Sequence, residues 1–394
     1  MTAPSPAATP SAFIEWTEDG QPRRARWRSE SQAAPRRVQL ADDTLPADAA
    51  YRLVSEGTAL LWRGDFQNAR QLLQALGRRF DRRVERSRGR ASRPVPASLT
   101  EAFHKHRQAQ ARRAQLLGML LIELQPDYGI ALRRAPDLRA ACTQAWDAPG
   151  PQAEVGAASL RELQGLVGAY EWRRNGVEVP ALGARIHPHY GVFSPVRGEY
   201  VDLVAQAPLP AALGRDGVAF DIGTGTGVLA AVLAHRGVAR VVATELHPRA
   251  QACARDNLDR LGLLERVDLV EADLFPPGRA ALVVCNPPWV PAKPSSALEH
   301  AVYDPDGRML SGFLRGLGTH LAPGGEGWLI LSDLAEHLGL RTREQLLAAF
   351  EAAGLAVAGR LDARPRHGRA ADAGDPLHAA RRREVTSLWR LRLR

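Results

Sequence analysis

The second half of the chain alternates between short apolar segments and stretches with helical patterning. The apolar segments occupy residues 218–222, 240–244, 267–270, 281–285 and 327–331, and a polar or helix-forming stretch follows each of them. This alternation predicts a mostly parallel sheet with helices on both faces, which is an α/β fold. Two final segments, 355–361 and 384–391, are predicted to add an antiparallel pair and bring the sheet to seven strands.

A glycine-rich segment directly follows the first of these predicted strands. It consists of Asp221, Ile222, Gly223, Thr224, Gly225, Thr226 and Gly227, and the helical stretch 228–234 begins after it. In an open α/β sheet this position lines the ligand crevice, where glycines let the backbone approach a ligand and a helix N-terminus offers unpaired N–H groups. A dinucleotide fingerprint has its third glycine one position later, at 228, where this chain has valine. A nicotinamide-dependent oxidoreductase is therefore only a remote alternative.

An acidic residue, Glu245, ends the second predicted strand, 18 residues beyond Gly227. A carboxylate at this place can accept hydrogen bonds from the two hydroxyls of a ribose. The alternative is that Glu245 caps the segment that begins at His247 and Pro248. A further acidic residue, Asp273, follows the third predicted strand together with Leu274.

The fourth predicted strand ends in the sequence Asn286, Pro287, Pro288 and Trp289. This sequence matches the N/D-P-P-aromatic signature of methyltransferases that act on amino or amide nitrogens, whose lone pair is delocalised and poorly nucleophilic. The Asn286 side-chain oxygen and the Pro287 carbonyl would accept hydrogen bonds from the target NH₂ and aim its lone pair. Trp289 would stack on a planar substrate. These four residues are the predicted catalytic set; the alternative is a structural turn in a protein that only binds a ligand.

Residues 186–394 resemble a class I S-adenosylmethionine-dependent methyltransferase of the small-methyltransferase group. That group includes release-factor glutamine methyltransferases and several ribosomal- and transfer-RNA base methyltransferases. The resemblance implies a Rossmann-like domain, S-adenosyl-L-methionine as cofactor, and a cofactor site formed by the glycine-rich segment with Glu245 and Asn286. It also implies that Asp273 contacts the adenine amino group and that Leu274 covers the ring.

The segment before the glycine loop departs from the release-factor enzymes. Those enzymes have a proline-arginine-proline-glutamate character there, whereas this chain has the residues 194–200, Ser-Pro-Val-Arg-Gly-Glu-Tyr, and its motif ends in Trp289 rather than tyrosine. A lid over the cofactor formed by Tyr190, Phe193 and Arg197 is one interpretation of the segment, and ordinary packing is the other. The departures bear on a glutamine substrate more than on the cofactor.

The first 160 residues show mainly helical patterning. Apolar residues spaced at three and four positions predict one helix from Phe66 with Asp65 as its cap, and a second helix from a capping box at Ser98 to Glu101, continuing through Leu120 and Leu121. Residues 87–96 and 136–156 are predicted linkers, and Asn175-Gly176 predicts a β-hairpin between residues 170–173 and 177–179. The predicted organisation is a disordered leader at 1–12, a helical, basic substrate-docking domain at 13–160, a hairpin and cofactor-lid linker at 161–200, and the methyltransferase domain at 201–394.

The positive charge is concentrated in the N-terminal part. Lysine and arginine number 52 against 43 acidic residues, and residues 1–160 carry 24 of the basic and 17 of the acidic side chains. The densest run is Arg78, Arg79, Arg82, Arg83, Arg86, Arg88, Arg90 and Arg93, and the only acidic residues within it are Asp81 and Glu85. Because all but two of the basic residues are arginine, the total says little about a partner, but this run is a candidate phosphate-binding surface. The alternative is a solvated helix end.

Other classes of protein are disfavoured by the composition. No stretch approaches the roughly 20 apolar residues that span a bilayer, and the leader does not have the character of a secretory signal. Three widely separated cysteines argue against a disulfide framework or a zinc site. The chain is therefore expected to be a cytoplasmic N-methyltransferase without membrane or metal partners. An exocyclic amine of an RNA base is favoured as the acceptor, and a glutamine in a translation-associated protein is the alternative.

Overall fold

The computed structural model describes residues 12–88, 98–293, 302–365 and 377–394. The predicted leader up to residue 11, most of the predicted linker at 87–96, which contains Arg90 and Arg93, and residues 366–376 lie outside these ranges. The chain divides into two compact units. One comprises Met1–Val95 and Arg107–Tyr170, and the other comprises Pro96–His106 and Glu171–Arg394.

The first unit contains a six-stranded mixed sheet. Its strands are β1 (Phe13–Glu18), β2 (Gln21–Trp27), β3 (Val38–Ala41), β4 (Ala59–Trp62), β5 (Leu120–Leu124) and β6 (Gly156–Ser159), and its helices are α1 (Ala47–Ser55), α2 (Phe66–Arg88) and α4 (Arg139–Trp146). Helices α3 (Leu99–Leu117) and α5 (Leu160–Asn175) are shared, because residues 99–106 and 171–175 belong to the second unit. The strand order is β1-β2-β6-β5-β4-β3. Strands β3, β4 and β5 are parallel, whereas β1 pairs antiparallel with β2, and β5 pairs antiparallel with β6.

The sequence prediction of a mainly helical N-terminal domain missed this sheet. Strands β4, β5 and β6 are only four or five residues long, and nearly all their side chains are buried. A short, uniformly apolar run has no alternation to distinguish a strand from a buried helix. Leu120 and Leu121 also continue the apolar pattern of α3, so the prediction extended that helix into β5.

The two predicted helices of this region are present, and both predicted caps form. The Asp65 carboxylate accepts a hydrogen bond from the Gln67 N–H at 2.8 Å, and the Ser98 hydroxyl accepts one from the Glu101 N–H at 3.1 Å. Helix α3 ends at Leu117 rather than beyond Leu121. The predicted loose connection at 136–156 contains α4.

The predicted hairpin around Asn175-Gly176 is wrong. Residues 170–175 are the last turns of α5, and Gly176, with φ of +69°, ends that helix by donating its N–H to the Trp172 carbonyl at 2.8 Å. A left-handed glycine serves a helix C-terminus as well as a hairpin turn, which explains the error. The hairpin lies one segment later, where β7 (Val177–Val179) pairs antiparallel with β8 (Ala184–Ile186).

The second unit has the predicted seven-stranded α/β sheet. Its further strands are β9 (Val218–Ile222), β10 (Arg240–Glu245), β11 (Val267–Glu271), β12 (Ala280–Cys285), β13 (Leu321–Ser332), β14 (Leu355–Ala363) and β15 (Thr386–Leu393), and its further helices are α6 (Glu199–Gln206), α7 (Val228–His235), α8 (Pro248–Arg260), α9 (Arg308–His320), α10 (Leu334–His337), α11 (Arg343–Ala352) and α12 (His378–Arg381). The order is β11-β10-β9-β12-β13-β15-β14. Only β15 runs antiparallel to its neighbours, so the predicted closing pair is confirmed.

The sheet buries apolar side chains on both faces. Neighbouring residues alternate between two core clusters: Ala219 and Val284 belong to one, and Phe220 and Val283 to the other. Strands β10 and β11 lie on one side of β9, whereas β12 lies on its other side. The strand order therefore reverses between β9 and β12, and ligands of open α/β sheets bind outside the carboxyl ends of the strands at such a switch point. Within the described residues, none of the helices is both long and apolar enough to cross a membrane.

Candidate active site

The register of three parallel strands brings the predicted site residues to one edge of the sheet. Ile222 of β9 lies opposite Cys285 of β12 and Thr244 of β10. The residues that follow these positions are the glycine-rich loop, Asn286 and Glu245, respectively. Parallel strands end at the same edge, so segments far apart in the sequence meet here. The predicted cofactor loop and the predicted catalytic motif are therefore adjacent.

Asp221 holds the glycine-rich loop from within the core. Its side chain is almost fully buried, and one carboxylate oxygen accepts hydrogen bonds from the Thr224 hydroxyl at 2.6 Å and from the Ala230 N–H at 3.0 Å. Burial raises the pKa of Asp221 to about 6, because the charged form loses its hydration. Asp221 thus ties β9, the loop and α7 together.

All three loop glycines have left-handed backbone angles. Gly223, Gly225 and Gly227 have φ of +70°, +58° and +81°, which favour glycine. A Cβ atom at Gly223 would approach the Met309 side chain to 2.7 Å, and one at Gly227 would approach the Ala254 backbone to 3.3 Å. At Gly225 nothing lies within 4 Å of such an atom, so the loop is open on this side.

Glu245 is bound to the glycine-rich loop. One of its carboxylate oxygens accepts the Gly225 N–H at 3.1 Å, and the other accepts the N–H groups of Leu246 at 2.9 Å and His247 at 3.0 Å. The N-cap of α8 is His247, whose ring nitrogen accepts the Arg249 N–H, but Glu245 also accepts the N–H groups just before this helix, so both interpretations of Glu245 stay open. A carboxylate has about four acceptor positions, so one is left beside Gly225.

Asp273 and Leu274 lie at the same edge, beyond β11. The Asp273 side chain is half-exposed and pairs with Arg308 at 2.6 Å. Leu274 has a φ of +76°, which is unusual for a residue with a side chain, and its carbonyl accepts the Thr244 hydroxyl at 2.6 Å. The strained backbone turns the segment back over the end of β10.

The Asn-Pro-Pro-Trp motif has an internal hydrogen bond. The Trp289 indole N–H donates to the Asn286 side-chain oxygen at 2.8 Å. Pro287 is buried, whereas Asn286, Pro288 and Trp289 are partly exposed. The bond fixes which end of the Asn286 carboxamide carries the oxygen, and a carboxamide oxygen has a second lone pair for another donor. The hydrogen bond between Trp289 and Asn286 was not predicted from the sequence.

Comparison with known proteins identifies the family of the chain. The family model described as "Methyltransferase small domain" matches residues 183–353. A tRNA1(Val) (adenine(37)-N6)-methyltransferase of Shewanella amazonensis is 30% identical over 179 residues, covering 40% of this chain and 72% of that protein. The chain belongs to the small-methyltransferase family.

Two other relatives of the chain have names that state a protein substrate. A release factor glutamine methyltransferase of Cereibacter sphaeroides is 36% identical over 34% of this chain and 51% of its own length. A ribosomal protein L11 methyltransferase of Pelotomaculum thermopropionicum is 36% identical over 36% of this chain and 40% of its own length. The chain spans about half the length of the release-factor enzymes that it matches. Among solved structures, a methyltransferase of Thiobacillus denitrificans in complex with S-adenosyl-L-homocysteine covers 51% of this chain and 92% of its own, at 17% identity and a TM-score of 0.35.

The residues of the chain fit the family's cofactor, S-adenosylmethionine. The open side of Gly225 accommodates close approach of a ligand, and the remaining acceptor position of Glu245 lies beside it. Leu246, which directly follows Glu245, is 52% exposed and offers an apolar surface for a ring. Leu246 was missed by the sequence analysis, although its position after the acidic residue was a usable signal.

Arg197 also lies at the motif. Its guanidinium carbon is 4.8 Å from the centroid of the Trp289 ring, within the range of a cation–π contact. Two buried carboxylates hold it: Glu199 accepts its Nε–H at 2.9 Å, and Glu384 accepts an Nη2–H at 2.8 Å. From the sequence, Arg197 was predicted only as part of a lid or as ordinary packing. Glu384 was not predicted, because a glutamate 95 residues beyond the motif carries no local signal.

Proposed function

We propose that this protein is an S-adenosylmethionine-dependent N-methyltransferase that acts on an exocyclic amino or amide nitrogen of a macromolecule. The observation that carries the proposal is the orientation of the Asn286 carboxamide, which the Trp289 N–H fixes next to the glycine-rich loop. When bound, the cofactor supplies an electrophilic methyl group on a sulfonium. The catalytic set is Asn286, Pro287, Pro288 and Trp289. The cofactor set is Asp221, Gly223, Thr224, Gly225, Thr226, Gly227, Glu245, Asp273, Leu274 and Asn286.

The motif acts by aligning the target nitrogen rather than by removing its proton first. The free lone pair of the Asn286 oxygen and the Pro287 carbonyl accept the two N–H bonds of the target, so its own lone pair is directed at the methyl carbon. S-adenosylmethionine, if bound at the glycine-rich loop, would supply the methyl carbon, and the carbon–sulfur electron pair would return to sulfur as the nitrogen–carbon bond formed. The cationic nitrogen is acidic and releases a proton to water. No strong general base is required.

RNA is the acceptor that we favour, because α2 carries an exposed arginine stripe, defined here as Arg78, Arg82 and Arg86. These residues are four positions apart and exposed. Like charges at this spacing destabilise a helix by roughly 0.2–0.5 kcal/mol per pair, so the stripe opposes folding. Two arginines outside the stripe are paired with carboxylates: Arg79 pairs with Asp48 at 2.6 Å, and Arg113 of α3 pairs with Asp81 at 2.9 Å. A row of phosphates would relieve the repulsion.

Protein glutamine is the second candidate. The relatives that support it are the release factor glutamine methyltransferases, one of which is 36% identical over 150 residues. A side-chain carboxamide presents the same NH₂ group to Asn286 as an adenine or cytosine amine does. The two acceptors therefore differ in what surrounds the nitrogen and not in how the nitrogen is aligned.

The experiment is methyl transfer from radiolabelled S-adenosylmethionine into extract of a strain that lacks this gene, followed by separate nuclease and protease digestion. Label released by ribonuclease supports RNA, and label released only by protease supports the glutamine alternative. We expect Asn286→Ala to abolish incorporation even at saturating S-adenosylmethionine. An Asn286→Ala variant with undiminished incorporation would contradict the catalytic role.

The arginine stripe is tested on the acceptor RNA identified in this way. We expect the triple substitution of Arg78, Arg82 and Arg86 by Gln to weaken RNA binding and to reduce the slope of log affinity against log salt by about 2, from three lost contacts with single-stranded phosphates. The control replaces the exposed Arg23, Arg52 and Arg161 by Gln, which removes the same charge from the same unit. Equal losses in both triple variants would mean a general charge effect and no specific surface.

A further inference from the structure

The contacts of Arg197 are more extensive than packing on Trp289 requires. The side chains of Glu199 and Glu384, which hold it, are 4% and 0% exposed. The Glu384 oxygen that binds Arg197 also accepts the Ser332 hydroxyl at 2.7 Å. One guanidinium is thus fixed by two buried carboxylates from opposite ends of the unit's sequence.

The buried ion pairs of Arg197 are expected to contribute little to the stability of the fold. Two buried carboxylates face one arginine, and the second oxygen of Glu384 is buried without a hydrogen-bond partner in the described part of the chain. Buried ion pairs lose much of their attraction to desolvation, and apolar residues of similar volume serve folding as well or better. Unsatisfied buried polar atoms are uncommon and concentrate where a site constrains its surroundings. The cost therefore points to a role for the position of Arg197.

Trp289 is constrained from two directions. Arg197 lies over one face of the indole, and the indole N–H points to the Asn286 oxygen. Displacement or rotation of the ring moves the N–H away from this oxygen and frees the carboxamide to turn. Asn286 then loses the defined direction of the lone pair that is left for a substrate.

We propose that Arg197 is a positioning residue that sets the orientation of the Asn286 carboxamide through Trp289. It acts on the alignment of the target nitrogen and does not contact that nitrogen. The kinetic part of this inference rests on the proposed N-methyltransferase function, whereas the structural part concerns only the Trp289 N–H.

The structural part is tested by NMR of the full chain with ¹⁵N-labelled tryptophan. Trp289→Phe identifies the indole signal of Trp289. We expect Arg197→Lys to shift this signal and to raise the hydrogen-exchange rate of its N–H roughly tenfold, because a lysine cannot keep the planar stack and both carboxylate contacts. The matched control is Arg343→Lys: Arg343 lies 5.2 Å from the Trp389 ring and is held by Glu336 at 2.9 Å. An unchanged Trp289 signal in Arg197→Lys would overturn the proposal whether or not methyl transfer occurs.

The kinetic part uses a double-mutant cycle on the acceptor that the labelling experiment identifies. We expect Arg197→Lys and Trp289→Phe each to lower kcat about tenfold or more, since misalignment of a reacting group has effects of this size, with S-adenosylhomocysteine affinity unchanged within about twofold. The double variant is expected to be no slower than Trp289→Phe alone, because both changes remove the same alignment. The reductions in kcat caused by Arg343→Lys and Trp289→Phe are expected to multiply in the double variant, because the two changes act independently. Independent effects of Arg197→Lys and Trp289→Phe would refute positioning through Trp289, and a wild-type enzyme inactive on every nitrogen acceptor would refute the proposed function instead.

Discussion

At the scale of single residues, Asp221 and Glu245 differ although both are acidic residues at strand ends. Asp221 is buried and directs its hydrogen bonds inward, to Thr224 and Ala230. Glu245 is partly exposed and leaves an acceptor position beside Gly225. Asp221 therefore shapes the loop from within, whereas Glu245 has an acceptor position at the loop's open side, where a ligand is predicted. The spacing of the sequence does not reveal this difference, because both are acidic residues next to strand ends.

Asp221 gives a prediction about pH. Its pKa rises from 3.8 to about 6 in the folded chain, so the folded state retains a proton that the unfolded state has already lost. The contribution of Asp221 to the free energy of unfolding is therefore fully present below about pH 4 and is lost as the pH rises through about 6. The total loss is roughly 3 kcal/mol. We expect Asp221→Asn, which keeps a side-chain acceptor, to gain stability relative to the wild type across this window. Urea unfolding at intervals between pH 4 and pH 7 measures it.

The control for Asp221→Asn is Asp259→Asn, which removes a charge from the exposed surface of α8. Stability differences between wild type and Asp221→Asn that are the same at every pH would show that Asp221 does not titrate in this window.

At the scale of elements, strand length and pattern decided what the sequence could predict. In the second unit helices or polar turns separate the apolar runs, and all seven strands of the large sheet were located, most of them within a residue or two at their starts. In the first unit β4 and β6 are four residues long and uniformly buried, so no period identifies them. The hairpin was misplaced because Gly176 suits both a turn and a helix end. Tertiary contacts settle such cases, and they are not visible in a local pattern.

The turn between β9 and α7 is the predicted cofactor loop, and Gly225→Ala tests this prediction. The added methyl meets no protein atom within 4 Å and points to the open side. We expect a loss of about 1–2 kcal/mol in stability from the left-handed backbone, and a fall in S-adenosylhomocysteine affinity of tenfold or more from the obstructed approach. Calorimetric titration and urea unfolding measure the two effects.

Gly262→Ala is the matched control, because Gly262 has a φ of +66° and also has nothing within 4 Å of an added Cβ. It is expected to lose similar stability and to bind S-adenosylhomocysteine as the wild type does. Equal affinity in the two variants would exclude the open side of Gly225 as the ligand side.

At the scale of the whole molecule, the two units do not follow chain order. The segment Pro96–His106 belongs to the methyltransferase unit although it precedes most of α3 and all of β5. Phe103 is 3% exposed and packs in a cluster that includes Val290 and Leu338, and the Thr100 hydroxyl donates to the Leu338 carbonyl at 2.7 Å. The sequence analysis assigned this segment to an N-terminal domain at 13–160, since nothing local to it indicates its partners.

Phe103→Ala tests this arrangement in the full chain. Val290 directly follows Trp289, so Phe103 packs beside the end of the predicted catalytic motif from a distant part of the sequence. Removing a buried phenylalanine costs about 3–5 kcal/mol. We therefore expect faster hydrogen exchange, measured by mass spectrometry, in peptides from residues 286–293 and 328–340. Leu73→Ala in α2 removes a comparably buried side chain, 6% exposed, from the other unit, and is expected to raise exchange in β4 and β5 instead. If Phe103→Ala accelerated exchange in β4 and β5 and left residues 286–293 protected, the segment would belong to the first unit after all.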